Sequence, residues 1–117
     1  MAQLETKIEK YSEIIAEYVS EVGNYFREAL GASLEYEAIC DKQNKHFQLV
    51  RLGWSDGDFF YQILFHLDIK PDGKVWIQQN NTEISVGAAL IKKGIHKDDL
   101  VLGFRSPTMR TLTHFAV

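Results

Sequence analysis

Few residues of this 117-residue chain have the types and spacing to do chemistry. The pair His66-x-Asp68 is the first. Residues two apart on an extended strand face the same way, so the carboxylate at 68 can orient the imidazole at 66, and Gln62 falls on the same alternating face. An oriented imidazole is the start of a general base or a metal centre. A metal centre needs at least one more converging ligand. None is identifiable, so no metal or cofactor is expected. The competing reading is a satisfied histidine on a half-buried sheet face. A second grouping, Arg105, Pro107, Arg110 and His114 around Ser106, has the chemistry of an anion or protein contact, against the plainer reading of a solvated C-terminal loop. Asp56-Gly57-Asp58 has two of the acids of a calcium loop but neither its length nor its distal acid, and a hairpin turn accounts for it. Cys40 has no basic neighbour in sequence and reads as a small core hydrophobe. There is no Gly-rich phosphate loop, no His-Glu-x-x-His, no Cys-x-x-Cys and no nucleophile elbow. No catalytic residue is assigned, and the chain is read as a non-enzyme.

The elements that must position these residues are legible in the hydrophobic periods. Leu4, Ile8, Tyr11, Ile15, Tyr18, Val22 and Tyr25 recur at alternating spacings of four and three, the period of a helix over residues 4–30 packed along a seam. The partner of that seam is either this chain's own sheet or another helix. Gly23 is expected to bend or end the helix, and Gly31 to cap it. Glu5, Glu9, Glu13, Glu17 and Glu21 follow at every fourth position, so that flank should be solvated or meet something basic. Four strands come next: residues 34–40, 46–54, 59–69 and 74–79. In the third, Phe59, Tyr61, Ile63, Phe65, Leu67 and Ile69 alternate with Phe60, Gln62, Leu64, His66 and Asp68. Ser55-Asp56-Gly57-Asp58 and Lys70-Pro71-Asp72-Gly73 are turns, and short links imply an antiparallel meander. The amides Gln78-Gln79-Asn80-Asn81 separate the last strand from a second helix carrying Ile84, Ala88 and Ile91, closed by Gly94. Asn80 with Glu83 gives a capping box, with Thr82 as the rival N-cap. The fold expected is α+β: a long N-terminal helix, a four-stranded antiparallel meander, a second helix, and a short extended or helical tail that docks. Residues 1–117 form one domain.

Charge is unevenly spread. Residues 1–41 hold nine acids and three bases, residues 42–91 five of each, and residues 92–117 two acids and five bases. That is a weak basic face for a protein gripping duplex DNA, where phosphate contacts dominate affinity. One cysteine forbids an internal disulfide. The N-terminus carries acids from Glu5 onward and no apolar run, so no secretory leader is expected. No run nears the roughly 18 apolar residues of a membrane span. The expected setting is cytoplasmic. Self-association is expected through an open sheet edge and the further apolar residues Ile14, Phe26 and Ala29 of the first helix.

A family resemblance rests on specific blocks. These are His66-x-Asp68-Ile69-Lys70, Asp72-Gly73-Lys74-x-Trp76-Ile77-Gln78 with Thr82-Glu83, and Asp98-Asp99-Leu100-Val101-Leu102-Gly103-Phe104 followed by Pro107, Arg110 and Phe115-Ala116-Val117. With Gly53-Trp54 and the early Tyr11-Ser12-Glu13-Ile14-Ile15, the sequence resembles the XisI-like proteins, the fdxN element excision controlling factors of cyanobacteria. The resemblance implies a factor required when a DNA element leaves the chromosome during heterocyst differentiation. A separate recombinase performs the strand exchange, and a XisH-like companion is the implied partner. It carries over no catalytic residue. The chain departs from the family pattern at Asn80-Asn81, where Asp-Gly is usual, at Arg105-Ser106-Pro107, and between Glu21 and Gly31. The resulting expectation is an accessory protein acting through a XisH-like partner, with DNA contact indirect or weak. The rivals are a directly DNA-binding recombination factor and an enzyme using His66 and Asp68.

Overall fold

In a computed structural model, which describes residues 2–30, 33–110 and 115, the chain forms one long helix lying across one face of a single sheet. Helix α1 spans Ala2–Leu30. It continues through Gly23, so the expected stop there does not occur. The reason is packing: a side chain at Gly23 would begin 3.2 Å from Leu49 Cδ1, so glycine there lets the helix lie close against the sheet. The buried stripe is Tyr11, Ile15, Tyr18, Val19 and Val22, continued by the partly buried Phe26. A straight helix of 3.6 residues per turn drifts off a 3.5-residue seam. Phe26 therefore takes the last contact, and Tyr25 is left 61% exposed. Ile14 also packs against the core, so two of the three extra apolar residues of α1 are used internally. Gly31, the expected cap, lies outside the described residues.

The sheet has five strands in the order β1-β2-β3-β4-β5. They are β1 Glu35–Asp41, β2 His46–Ser55, β3 Asp58–Ile69, β4 Val75–Asn80 and β5 Leu100–Leu102. The first four form the expected antiparallel meander. The fifth corrects it: the extended piece after the second helix pairs with β4 in parallel, Val75 opposite Leu100 and Ile77 opposite Leu102. A parallel neighbour requires a long crossover, and here it contains helix α2, Val86–Lys93, and a 3₁₀ turn at Lys97–Asp99. Gly94 closes α2 in the left-handed conformation, φ 116°. The helix begins later than the capping-box reading requires: Ser85 holds the N-cap position, without a side-chain cap bond. Asn80 instead ends β4, accepting from Thr82 N and Oγ1 and donating to the Ile84 carbonyl.

The core lies between α1, α2 and one sheet face, around Phe47, Leu49, Phe65, Leu67, Val75, Ile77, Leu90 and Leu100. Phe115 docks against it from the tail. The acidic flank of α1 meets bases: Glu9 pairs with Lys45, Glu13 with Lys42, and Glu21 with Lys93. Lys7 and Tyr11 both hold Asp99 on the 3₁₀ turn, at 3.0 and 2.5 Å, and so fasten the crossover to the helix.

Two irregularities set the faces. Leu49 pairs with Phe65 but Val50 with Ile63, so Leu64 is an extra residue in β3. His66 pairs with Gln79 but Leu67 with Ile77, so Gln78 is extra in β4. Each bulge exchanges the faces on either side of it. The unbroken alternation expected for residues 59–69 thus holds only in halves. Phe65, Leu67 and Ile69 face the core, whereas Phe59 and Tyr61 are 55% and 64% exposed. Truncating Ile15, fully buried under α1, to alanine should cost about 2–5 kcal/mol, read as a lower urea midpoint with an unchanged slope.

Candidate functional site

The face of the sheet turned away from α1 carries the polar cluster. The β2–β3 register places His46 directly opposite Asp68 and Gln48 opposite His66. His46 Nδ1 lies 2.7 Å from Asp68 Oδ1, and His66 Nε2 lies 2.8 Å from the same oxygen. Gln78, the bulge residue of β4, donates to Asp68 Oδ2 at 3.1 Å. Gln48 Nε2 stands 2.9 Å from His66 Nδ1. One assignment satisfies every group: Gln48 donates to His66 Nδ1, His66 donates through Nε2, and His46 donates through Nδ1. Asp68 is buried, at 7% exposure, while His46 is exposed. Burial pushes the Asp68 carboxyl upward, but the hydrogen bonds from His46, His66 and Gln78 outweigh it and hold the group below its ordinary value. Among the described residues the ion-pair partners of Asp68 are the two histidines alone. The cluster opens into a hollow of about 370 Å³ bounded by Ile39, Asp41, His46, Gln48, His66 and Asp68. It therefore presents two imidazoles and one carboxylate oxygen, held in place, at an accessible surface.

Of the residues expected in this site, the structure unites His66 and Asp68 and removes Gln62. The Leu64 bulge turns Gln62 to the other face, where it bonds to Arg51 across the strand pair. The same bulge hid His46 from sequence reading. Counting back from the Ser55–Asp58 pair of a regular hairpin puts His46 opposite Leu67; the extra residue moves it to Asp68. Gln48 was missed for the same cause, and Gln78 because it is the extra residue of the second bulge, in β4. The signal that could have found His46 is its place at the head of a strand antiparallel to the one holding Asp68.

The C-terminal grouping is partly assembled. Arg110 Nε donates to the Arg105 carbonyl at 2.9 Å, and its guanidinium lies 5.0 Å from the centre of the Trp76 ring. Arg105 lies over the neighbouring Phe104 ring. Pro107 opens the four-residue helix α3, Pro107–Arg110. His114 lies outside the described residues. Trp76 also has Lys70 above its ring, and a side chain at Gly103 would begin 3.0 Å from it.

A third feature shares the uncovered face. At the far end of the β2–β3 hairpin, Trp54 pairs with Phe59 and Leu52 with Tyr61. Trp54 is 68% exposed, and its ring centre lies 5.4 Å from that of Phe59. Asp56 and Gly57 both have positive φ, 52° and 83°, giving the two-residue turn that matches strand twist and so projects the aromatic pair. β4 ends before reaching this region, since its pairing with β3 starts at Phe65.

The model of the family described as XisI protein matches residues 5–117. A crystal structure of a XisI-like protein from Anabaena variabilis ATCC 29413 is 32% identical, with a TM-score of 0.81, covering 94% of this chain and 98% of that one. A second, of the fdxN element excision controlling factor XisI from Anabaena variabilis ATCC 29413, is 28% identical, with a TM-score of 0.75 and coverage of 94% and 97%. No curated protein matches the sequence.

Replacing Asp68 by alanine leaves the two imidazoles and the Gln78 amide without their shared acceptor. A loss of about 1–3 kcal/mol is expected, measured by urea denaturation. His46→Ala removes one exposed member and should cost less. Equal losses would show that the cluster does not converge on Asp68.

Proposed function

The chain belongs to the XisI family, and on that premise we propose that it is a non-enzymatic controlling factor for excision of a DNA element, acting by docking a protein partner. The second neighbour is itself named as the fdxN element excision controlling factor. The observation that carries the docking role is the exposure of Trp54, Phe59 and Tyr61 together on one hairpin, on the sheet face turned away from α1. Trp and Tyr dominate the energetics of protein interfaces, because they bury large rigid surfaces at low entropic cost. An acidic helix on the opposite side, whose glutamates already engage Lys42, Lys45 and Lys93, suits a protein partner better than a phosphate backbone. A XisH-like protein is the partner this reading takes, with Arg105 and Arg110 at the edge of the docking face. The strand exchange itself belongs to another protein.

The test is a binding titration between purified full-length protein and a XisH-like protein. Association is expected, weakened at least about tenfold, or about 1.4 kcal/mol, by Trp54→Ala combined with Tyr61→Ala. Charge reversal at Arg105 and Arg110 should weaken it less, as rim charges do. No association at concentrations on the order of 10 µM would remove the partner. A shifted DNA band that vanishes steeply with added salt would replace the protein-docking reading with direct phosphate binding.

A further inference from the structure

We propose that His46, His66 and Asp68 form a binding site for one divalent first-row transition ion of the zinc class. The donor set is His Nδ1, His Nε2 and one carboxylate oxygen, the N/O chemistry that such ions select over calcium or magnesium. The three ligating atoms all lie within 4.8 Å of one another. A tetrahedral zinc, with bonds of about 2.0–2.2 Å, separates its ligands by roughly 3.3–3.4 Å. His46 Nδ1 and His66 Nε2 stand 2.7 and 2.8 Å from Asp68 Oδ1. Seating an ion therefore widens the two imidazole–carboxylate separations by about half an ångström.

Three further observations point to an ion rather than to a plain hydrogen-bonded clasp. The carboxylate is buried, and among the described residues no lysine or arginine pairs with it; a buried carboxylate without a permanent counter-charge is costly. The outer shell is already built. Gln78 holds the second oxygen of Asp68, and Gln48 stands at the remaining ring nitrogen of His66, where its amide oxygen would accept the proton of a metal-bound imidazole. The fourth position faces the hollow of about 370 Å³, open to water or to a ligand from another molecule. The ligands come from β2 and β3, with β4 supplying the outer-shell amide, so a bound ion would tie three strands together.

The experiment uses full-length protein stripped with a chelator and titrated with Co²⁺ and with Zn²⁺. Expected are one cobalt per chain, the intense visible absorption of a four-coordinate ion, its displacement by Zn²⁺, and a higher Tm with Zn²⁺. His46→Ala, His46→Gln and Asp68→Asn should each abolish the spectrum and the Tm rise. His46 is exposed, so its variants keep the fold, checked by circular dichroism. Absence of cobalt absorption and of any Tm rise in the unaltered protein would overturn the site. So would binding undiminished in both His46 variants, which would place the ion elsewhere, for instance at His96 and Asp98.

Discussion

The pairing register of the β2–β3 hairpin is the constraint on which the remainder of the molecule depends. Side chains alternate with a period of two, so one residue of slip moves a whole strand's side chains to the other face. The tight turn at Asp56-Gly57 fixes the register at one end, and the extra residue Leu64 resets it midway. Beyond the bulge, Phe65, Leu67 and Ile69 turn to the core beneath α1, while His66 and Asp68 turn outward to meet Gln48 and His46. Before it, Gln62 and Arg51 share the helix side, and Tyr61 with Leu52 looks out. Core and cluster are thus two readouts of one insertion.

The two faces have opposite characters. Beyond the Leu64 bulge the covered face is apolar: Phe47, Leu49, Phe65 and Leu67 are fully buried under the stripe of α1. Burial at about 25 cal/mol per Å² of apolar surface supplies the main driving force there. The ion pairs from the glutamate flank to Lys42, Lys45 and Lys93 are exposed on their acidic side, and contribute orientation more than energy. The opposite face satisfies its polar groups with hydrogen bonds, and its most exposed aromatics, Trp54, Phe59 and Tyr61, stand where β4 has ended.

Much of this was legible in the residues, and the failures share a cause. The helix over 4–30, four strands, both turns and the Gly94 stop follow from periodicity and turn chemistry, which are local. The path of α1 through Gly23 was not, because the approach of Leu49 is a tertiary fact. Neither was β5: three residues, Leu100–Leu102, are too short to show a period, and their parallel partner is fixed by where α2 packs. The site suffered most. His66 and Asp68 were visible as a pair on one strand, but His46 joins them only through a bulge that hydrophobic alternation does not announce, and the same bulge takes Gln62 away. Gln78 looked like punctuation between strand and helix, and it proves to be a bulge residue bound to Asp68.

The parallel β4–β5 pair bears on how the chain is made. Synthesis proceeds from the N-terminus, and domains fold as their segments emerge. The meander β1–β4 and helix α1 are complete well before residues 100–102 leave the ribosome. During that interval β4 offers a bare edge whose first three residues, Val75, Trp76 and Ile77, are all apolar, the kind of edge that recruits neighbouring nascent chains. Lys70 and Lys74 sit just ahead of it, and Lys70 lies over the Trp76 ring. Charges beside an unavoidable apolar strand act as gatekeepers, so these lysines guard the strand until β5 arrives to cover it.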